Sequence, residues 1–317
     1  MKAGFAFAAC LLAACASVPV APAAEYRGAP AVDYHQHLVS PAFATIIKQA
    51  ERDGDALVAE MDAAGVDKAV VLSVGYSFGD ERKAIPDADG ATRAENDWTS
   101  AQVVAHPGRL IGFCSANPLR DAALGELERC LRLPGMRGIK QHLGNAGVSL
   151  RNPAHLARMQ QVFALAERLR VPVLVHMRAR GGTNYGAEDA RIFIDQVLPT
   201  AQGIDIIVAH LGSAGPGYAQ ADEIMAVLAE TAQGKDRRLR RLYVDVATNV
   251  TDKTTAEEGA LIARRIRDFG PAHVLYGSDL TPPGGSIGAG WRIFREKLPL
   301  TEAEFQLIAG NRLAFTR

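Results

Sequence analysis

The chain has 317 residues, 48% of them hydrophobic, with 35 Lys+Arg balanced by 35 Asp+Glu. That length buries a sizeable core, as one large α/β domain or two smaller ones, and the zero net charge excludes a nucleic-acid binder driven by a basic surplus and a disordered acidic arm. Thirty glycines beside only 6% aromatics suit a loop-rich α/β enzyme better than an all-β binding module.

The N-terminal stretch "MKAGFAFAACLLAACAS" has one Lys and then an apolar run too short to span a bilayer. It reads as a signal peptide of lipoprotein type over 1–14. The run Leu12-Ala13-Ala14-Cys15 resembles a bacterial lipobox, in which Cys15 becomes the lipid-carrying N-terminus. An ordinary signal peptide cut near Pro22-Ala23-Ala24 is the alternative. Ala16, not Asp, follows the cysteine, which suggests the outer membrane over retention at the inner one. Residues 15–30 form a Pro/Ala tether. The mature chain is expected in the periplasm or on the outer membrane, touching the membrane through this N-terminal anchor.

From residue 31 onward, β-branched runs alternate with longer helical stretches. Strands are expected at "AVDYHQH", "KAVVLSV", "RLIGFCSA", "MRGIKQH", "VPVLVHM", "IDIIVAHLG", "RLYVDVA" and "HVLYGSD", each followed by a helical segment. One helix is expected over "IIKQAERDGDALVAEMDAAG", and a functional loop over the polar segment from Gly75 to about Thr92. Eight such βα repeats predict a single (β/α)8 barrel over 31–317. An open doubly wound sheet is less favoured, because "HLVSPAF" after the first strand is no phosphate loop. Cys114 and Cys130 fall in a strand and the next helix, and both a bridge and two buried thiols fit.

Barrel active sites lie at the C-terminal ends of the strands. The first strand brings His35 and His37 there. Simple alternation puts Asp33 on their face, with Tyr34 and Gln36 on the other. The fifth strand ends in His176, the sixth in His210 and the eighth in Asp279, while the fourth ends with Lys140 and His142. Imidazole and carboxylate suit Zn2+, with Mn2+ or Fe2+ also fitting. Three or four such ligands with an open position make a catalytic site, in which bound water drops to a pKa of about 7.

The set His35-x-His37, His176, His210 and Asp279, with "GIKQH", "LYGSD" and "IAGNRLAF", resembles the amidohydrolase superfamily. More narrowly it resembles the amidohydrolase-related branch that also holds the aminocarboxymuconate-semialdehyde decarboxylase-like enzymes. The likeness runs from Val32 to the C-terminus. It implies that His35, His37, His176 and Asp279 ligate one metal, that Asp279 also accepts a proton, and that His210 is a further ligand or the acid/base. Asp33 would orient a ligand histidine. Lys140 stands where binuclear members carry a carboxylated lysine, so a second metal is expected only if it is so modified. His142 is a substrate contact or a rim histidine. Arg178 and Arg180 either clamp a substrate carboxylate or cap a solvated loop.

The expected function is a metal-dependent hydrolase acting on an amide, ester or lactone of a small molecule. A non-oxidative decarboxylase on the same scaffold is the alternative, and a non-catalytic metal-binding envelope lipoprotein comes third. The expected partner is a small molecule and not nucleic acid; a homo-oligomer is compatible with the sequence.

Overall fold

A computed structural model of the protein describes residues 28–180, 185–212 and 221–317. The expected signal peptide, Cys15 and the tether up to residue 27 lie outside the described residues.

The apolar runs form eight parallel strands: β1 Val32–Gln36, β2 Lys68–Leu72, β3 Leu110–Ser115, β4 Met136–His142, β5 Val173–His176, β6 Ile206–Val208, β7 Leu242–Asp245 and β8 Val274–Leu275. They pair in chain order from β1 to β8. Two backbone hydrogen bonds bring the ends together: Tyr34 N–H to the Tyr276 carbonyl at 2.9 Å and Asp279 N–H to the His35 carbonyl at 2.7 Å. The expected single (β/α)8 barrel is the fold. Tyr34, Val70, Leu72, Phe113, Leu174, Ile207 and Leu275 pack together inside it. Leu313, from the C-terminal segment, joins that cluster, and its N–H donates to the Tyr34 hydroxyl at 2.7 Å. A larger apolar layer lies between strands and helices.

Local boundaries differ from the expectations for physical reasons. The first long helix is two, Pro41–Ile47 and Gly54–Ala64. Lys48 ends the first in a left-handed conformation, and Asp53 caps the second through the Ala56 N–H. The segment from Gly75 to Thr92 is not one loop. It holds a helical turn, Gly75–Phe78, and the start of the long helix Ala88–Ala105, capped by Asp87. The helix Ile287–Lys297 had no counterpart in the sequence reading; its apolar face buries Ile287, Trp291, Ile293 and Phe294. Cys114 and Cys130 are bridged, tying β3 to the helix Ala123–Cys130.

Strict alternation fails in β1. The register against β2 shifts between Asp33 and Gln36. Tyr34 packs in the barrel interior, and the Gln36 side-chain amide donates to Asp33 Oδ2 at 2.9 Å. Asp33 therefore sits with Gln36, away from the imidazoles. A bulge of this kind re-aims side chains beside a functional site.

Candidate metal centre

His35, His37 and Asp279 offer ligand atoms that all lie within 4.8 Å of one another, and His35, His210 and Asp245 form a second such group. The carboxylate of Asp279 is the common target. Its Oδ1 lies 3.9 Å from His35 Nε2 and 3.8 Å from His37 Nε2, and its Oδ2 lies 3.8 Å from His210 Nε2.

The far side of each ring is tied. His35 Nδ1 donates to Asp245 Oδ2 at 2.9 Å, His37 Nδ1 to the Leu72 carbonyl at 2.8 Å, and His210 Nδ1 to the Ala247 carbonyl at 2.7 Å. With the proton on Nδ1, each Nε2 lone pair points inward, which is the tautomer a metal requires. Burial, helped by the Lys140 charge, pushes His35 well below the ordinary imidazole range, and burial lowers His37 to about 4. Both rings are therefore neutral at pH 7. Burial alone would raise Asp279, yet the surrounding His35, His210 and His37 hold it below the usual carboxylate range.

Backbone conformation builds part of this geometry. His210 and Leu211 have φ of 56° and 50°, and Asp279 has φ of 71°. Non-glycine residues rarely occupy this region, and such outliers cluster where surrounding structure over-determines them. At His210 the determinants are visible: Asp245 Oδ1 accepts its N–H at 2.8 Å, and Asn249 Nδ2 donates to its carbonyl at 2.8 Å.

The other sequence candidates divide. His176 is buried beside the cluster, its ring 4.8 Å from His210 and stacked 3.9 Å from His142. It belongs to neither convergent ligand group, and its Nδ1 is buried without a hydrogen-bond partner. Lys140 is buried, with Nζ 3.4 Å from His35 Nε2, and burial lowers it to about 8. His142 accepts the Asn145 N–H through Nδ1 and so caps a short helical turn as well as facing His176. Arg180 is structural: it donates to the Gly144 and Asn145 carbonyls and to Asp80 Oδ1. Arg178 is exposed and unpaired among the described residues, and it lines a recess of about 280 Å³ with Arg82, Asn145, His142 and His176.

Asp33 does not reach a ring. It accepts the His35 backbone N–H at 3.1 Å and a hydrogen bond from Ser278, so the ring-orienting role expected of it falls to Asp245. Asp245 was legible in the sequence, since it ends the β7 run "LYVD" as Asp279 follows that of β8. Tyr76 was missed; its ring lies 5.0 Å from His142 and burial keeps its hydroxyl protonated.

A divalent metal fits this donor set: inward lone pairs on the neutral His35 and His37 rings, one ionised carboxylate, and an orphaned buried nitrogen on His176. The comparisons with known proteins agree. The sequence model described as "Amidohydrolase" matches residues 32–311. Solved structures share the fold at low identity. A 2,6-dihydroxybenzoate decarboxylase from Rhizobium is 17% identical, with a TM-score of 0.60 over 89% of this chain and 96% of that one. A 5-carboxyvanillate decarboxylase from Novosphingobium aromaticivorans, a point mutant with bound manganese, is 15% identical, with a TM-score of 0.58 over 93% and 98%. A probable 2-pyrone-4,6-dicarboxylic acid hydrolase from Acinetobacter baumannii is 14% identical, with a TM-score of 0.59 over 88% and 96%. No curated protein matches the sequence.

Proposed function

The chain belongs to the amidohydrolase family, and from that premise we propose that it is a metal-dependent hydrolase of a small carboxylated molecule with an amide, ester or lactone bond. The observation that carries the reading is the ring of inward Nε2 atoms around Asp279. His35, His37, Asp279 and the orphaned His176 would hold the metal, taken to be one Zn2+, with Mn2+ as the nearest competitor. When bound, it supplies Lewis-acid polarisation of a carbonyl and acidifies water.

The chain's own groups handle the protons. His210 has Nδ1 tied to the Ala247 carbonyl, so Nε2 is free to take a proton from the attacking water. The imidazolium that forms faces Asp279 Oδ2 at 3.8 Å, which stabilises it until the proton passes to the leaving atom. Tyr76, protonated and buried, is a hydrogen-bond donor at the same mouth. Arg178, unpaired among the described residues, supplies a cation for a substrate carboxylate.

The same cation supports a second reading, a non-oxidative decarboxylase, as do two of the three similar structures named above. There protonated His210 would deliver its proton to the carbon that loses CO2. A panel of carboxylated lactones, esters, amides and aromatic acids separates them. Product acid without gas supports hydrolysis; CO2 release with a proton on the former carboxyl carbon supports the lyase. His37→Ala should abolish either activity together with metal content, and activity surviving metal loss would overturn both.

We also propose export, with Cys15 lipidated. The Cys114–Cys130 bridge supports an oxidising compartment. Lipid labelling in the producing cell that is lost in Cys15→Ser is the expected result, and equal labelling of both chains would overturn it.

A further inference from the structure

The end of the barrel opposite the metal centre carries cations without acidic partners. Among the described residues, Arg137, Arg170, Lys235, Arg237 and Arg240 are exposed there and enter no ion pair. The acids of this end are largely engaged: Asp62 with Arg109, Asp67 with Arg312, Asp205 with Arg241, and Asp236 with Arg238. Glu128 is shared by Arg132 and Arg168. Glu167 and Glu230 remain outside such pairs, so free cations outnumber free acids on this face although the whole chain is neutral.

Two recesses open on the same face, and each has an apolar floor under a cationic rim. One, of about 350 Å³, has Val103, Leu110 and Phe315 below Lys68 and Arg137, with Val104 exposed at its edge. The other, of about 280 Å³, has Leu239 and Phe269 below Lys235, Arg237 and Arg240; Asp236, which also lines it, is paired with Arg238. A small soluble anion would use the rims and waste the floors. An anionic amphiphile uses both. The chain also enters the barrel here, where the Ala31 N–H meets the Ala309 carbonyl at 2.8 Å, so residues ahead of the barrel join at this face.

We propose that the N-terminal face of the barrel docks onto a membrane surface containing anionic phospholipid, leaving the metal centre open on the far side. Juxtamembrane cations draw such surfaces and weaken with salt. The inference stands apart from the reaction assigned above, since none of these residues touches the metal centre.

The test is co-sedimentation of the full chain with vesicles of pure phosphatidylcholine and vesicles containing about one third phosphatidylglycerol. The comparison chain carries Lys235→Glu, Arg237→Glu and Arg240→Glu. Residues 1–27, whose only charged side chains are Lys2, Glu25 and Arg27, are common to both chains, so their contribution cancels. The expected result is a preference for the anionic vesicles in the parent chain that falls at least tenfold in the variant and fades at high salt. Metal content should be equal in both, which controls for folding. If the variant loses metal, Arg137→Glu at the other recess serves instead. Equal binding to both vesicles, an unchanged variant, or salt-sensitive heparin binding without vesicle preference would overturn the proposal.

Discussion

At the scale of single residues, the site is decided by which ring nitrogen carries a proton. Asp245 does most to fix this, because one carboxylate serves three donors: the His35 ring, the His210 N–H and the Ala247 N–H. In Asp245→Asn the remaining oxygen can satisfy the backbone donors, leaving the amide N–H against His35 Nδ1. His35 then moves its proton to Nε2, the atom proposed to bind the metal. Metal affinity should fall about 10- to 100-fold with the fold retained, measured by competitive chelator titration and circular dichroism. Unchanged affinity would remove Asp245 from the site. Glu95 is a separate case. It is buried against Ser40, and burial lifts its carboxyl to about 7. A folded value above the unfolded one means the native state binds the extra proton, so stability falls as pH rises from about 4.5 toward 7. Glu95→Gln cannot titrate. It should match the parent near pH 4 and exceed it by on the order of 3 kcal/mol near pH 8 in denaturant titrations. A constant difference across pH would refute the assignment.

At the scale of elements, the contact between β1 and the segment after β8 positions the histidines. Gly277, two residues past β8, lies against His35, and an added Cβ would lie 2.7 Å from the His35 Cβ and 3.4 Å from its backbone nitrogen. Neither neighbour can give way without moving the ring. Gly277→Ala should therefore destabilise the protein by about 1–3 kcal/mol through overpacking. It should also lower metal occupancy, which an overpacked site remote from the metal would leave alone. Thermal unfolding and metal analysis of the same sample decide it. β6 and β8 are both short. β6 ends at Val208, two residues before the left-handed His210, and β8 ends at Leu275, with the left-handed Asp279 four residues on. The expected strands through "AHLG" and "GSD" could not show this, since neither stretch contains a residue that announces positive φ at a histidine or an aspartate.

At the scale of the whole molecule, two cross-links act on stability. The Cys114–Cys130 bridge spans 16 residues and fastens β3 to the helix that covers it. Cys114→Ser/Cys130→Ser should lose about 3 kcal/mol in denaturant unfolding. A loss below about 0.5 kcal/mol would mean the packing of that helix alone fixes it. A metal held by His35, His37 and Asp279, as proposed, would be the second cross-link, joining β1 to the segment after β8. Stripping it with a chelator should lower Tm, and adding metal back should raise Tm in a concentration-dependent way, because a ligand that binds only the folded state stabilises by mass action. A Tm indifferent to both would count against the centre.

The amino-acid sequence by itself determined the barrel, because eight apolar runs separated by helical stretches leave a parallel closed sheet as the way to bury them all. It also determined which residues meet, since His35, His37, His210 and Asp279 cluster near strand ends and the barrel gathers those ends onto one rim. Asp33 and Asp245 mark the limit of that reasoning. Period-two alternation assigned Asp33 to the imidazole face, and one register shift in β1 moved it away. Only the tertiary structure set the partner of each ring, the left-handed turns at His210 and Asp279, the engagement of Arg180 by Asp80, and the grouping of cations on the far face. All of these depend on contacts between residues tens to hundreds of positions apart. A linear pattern fixes which face a residue is offered to, but hydrogen bonds across the barrel decide which atom it presents.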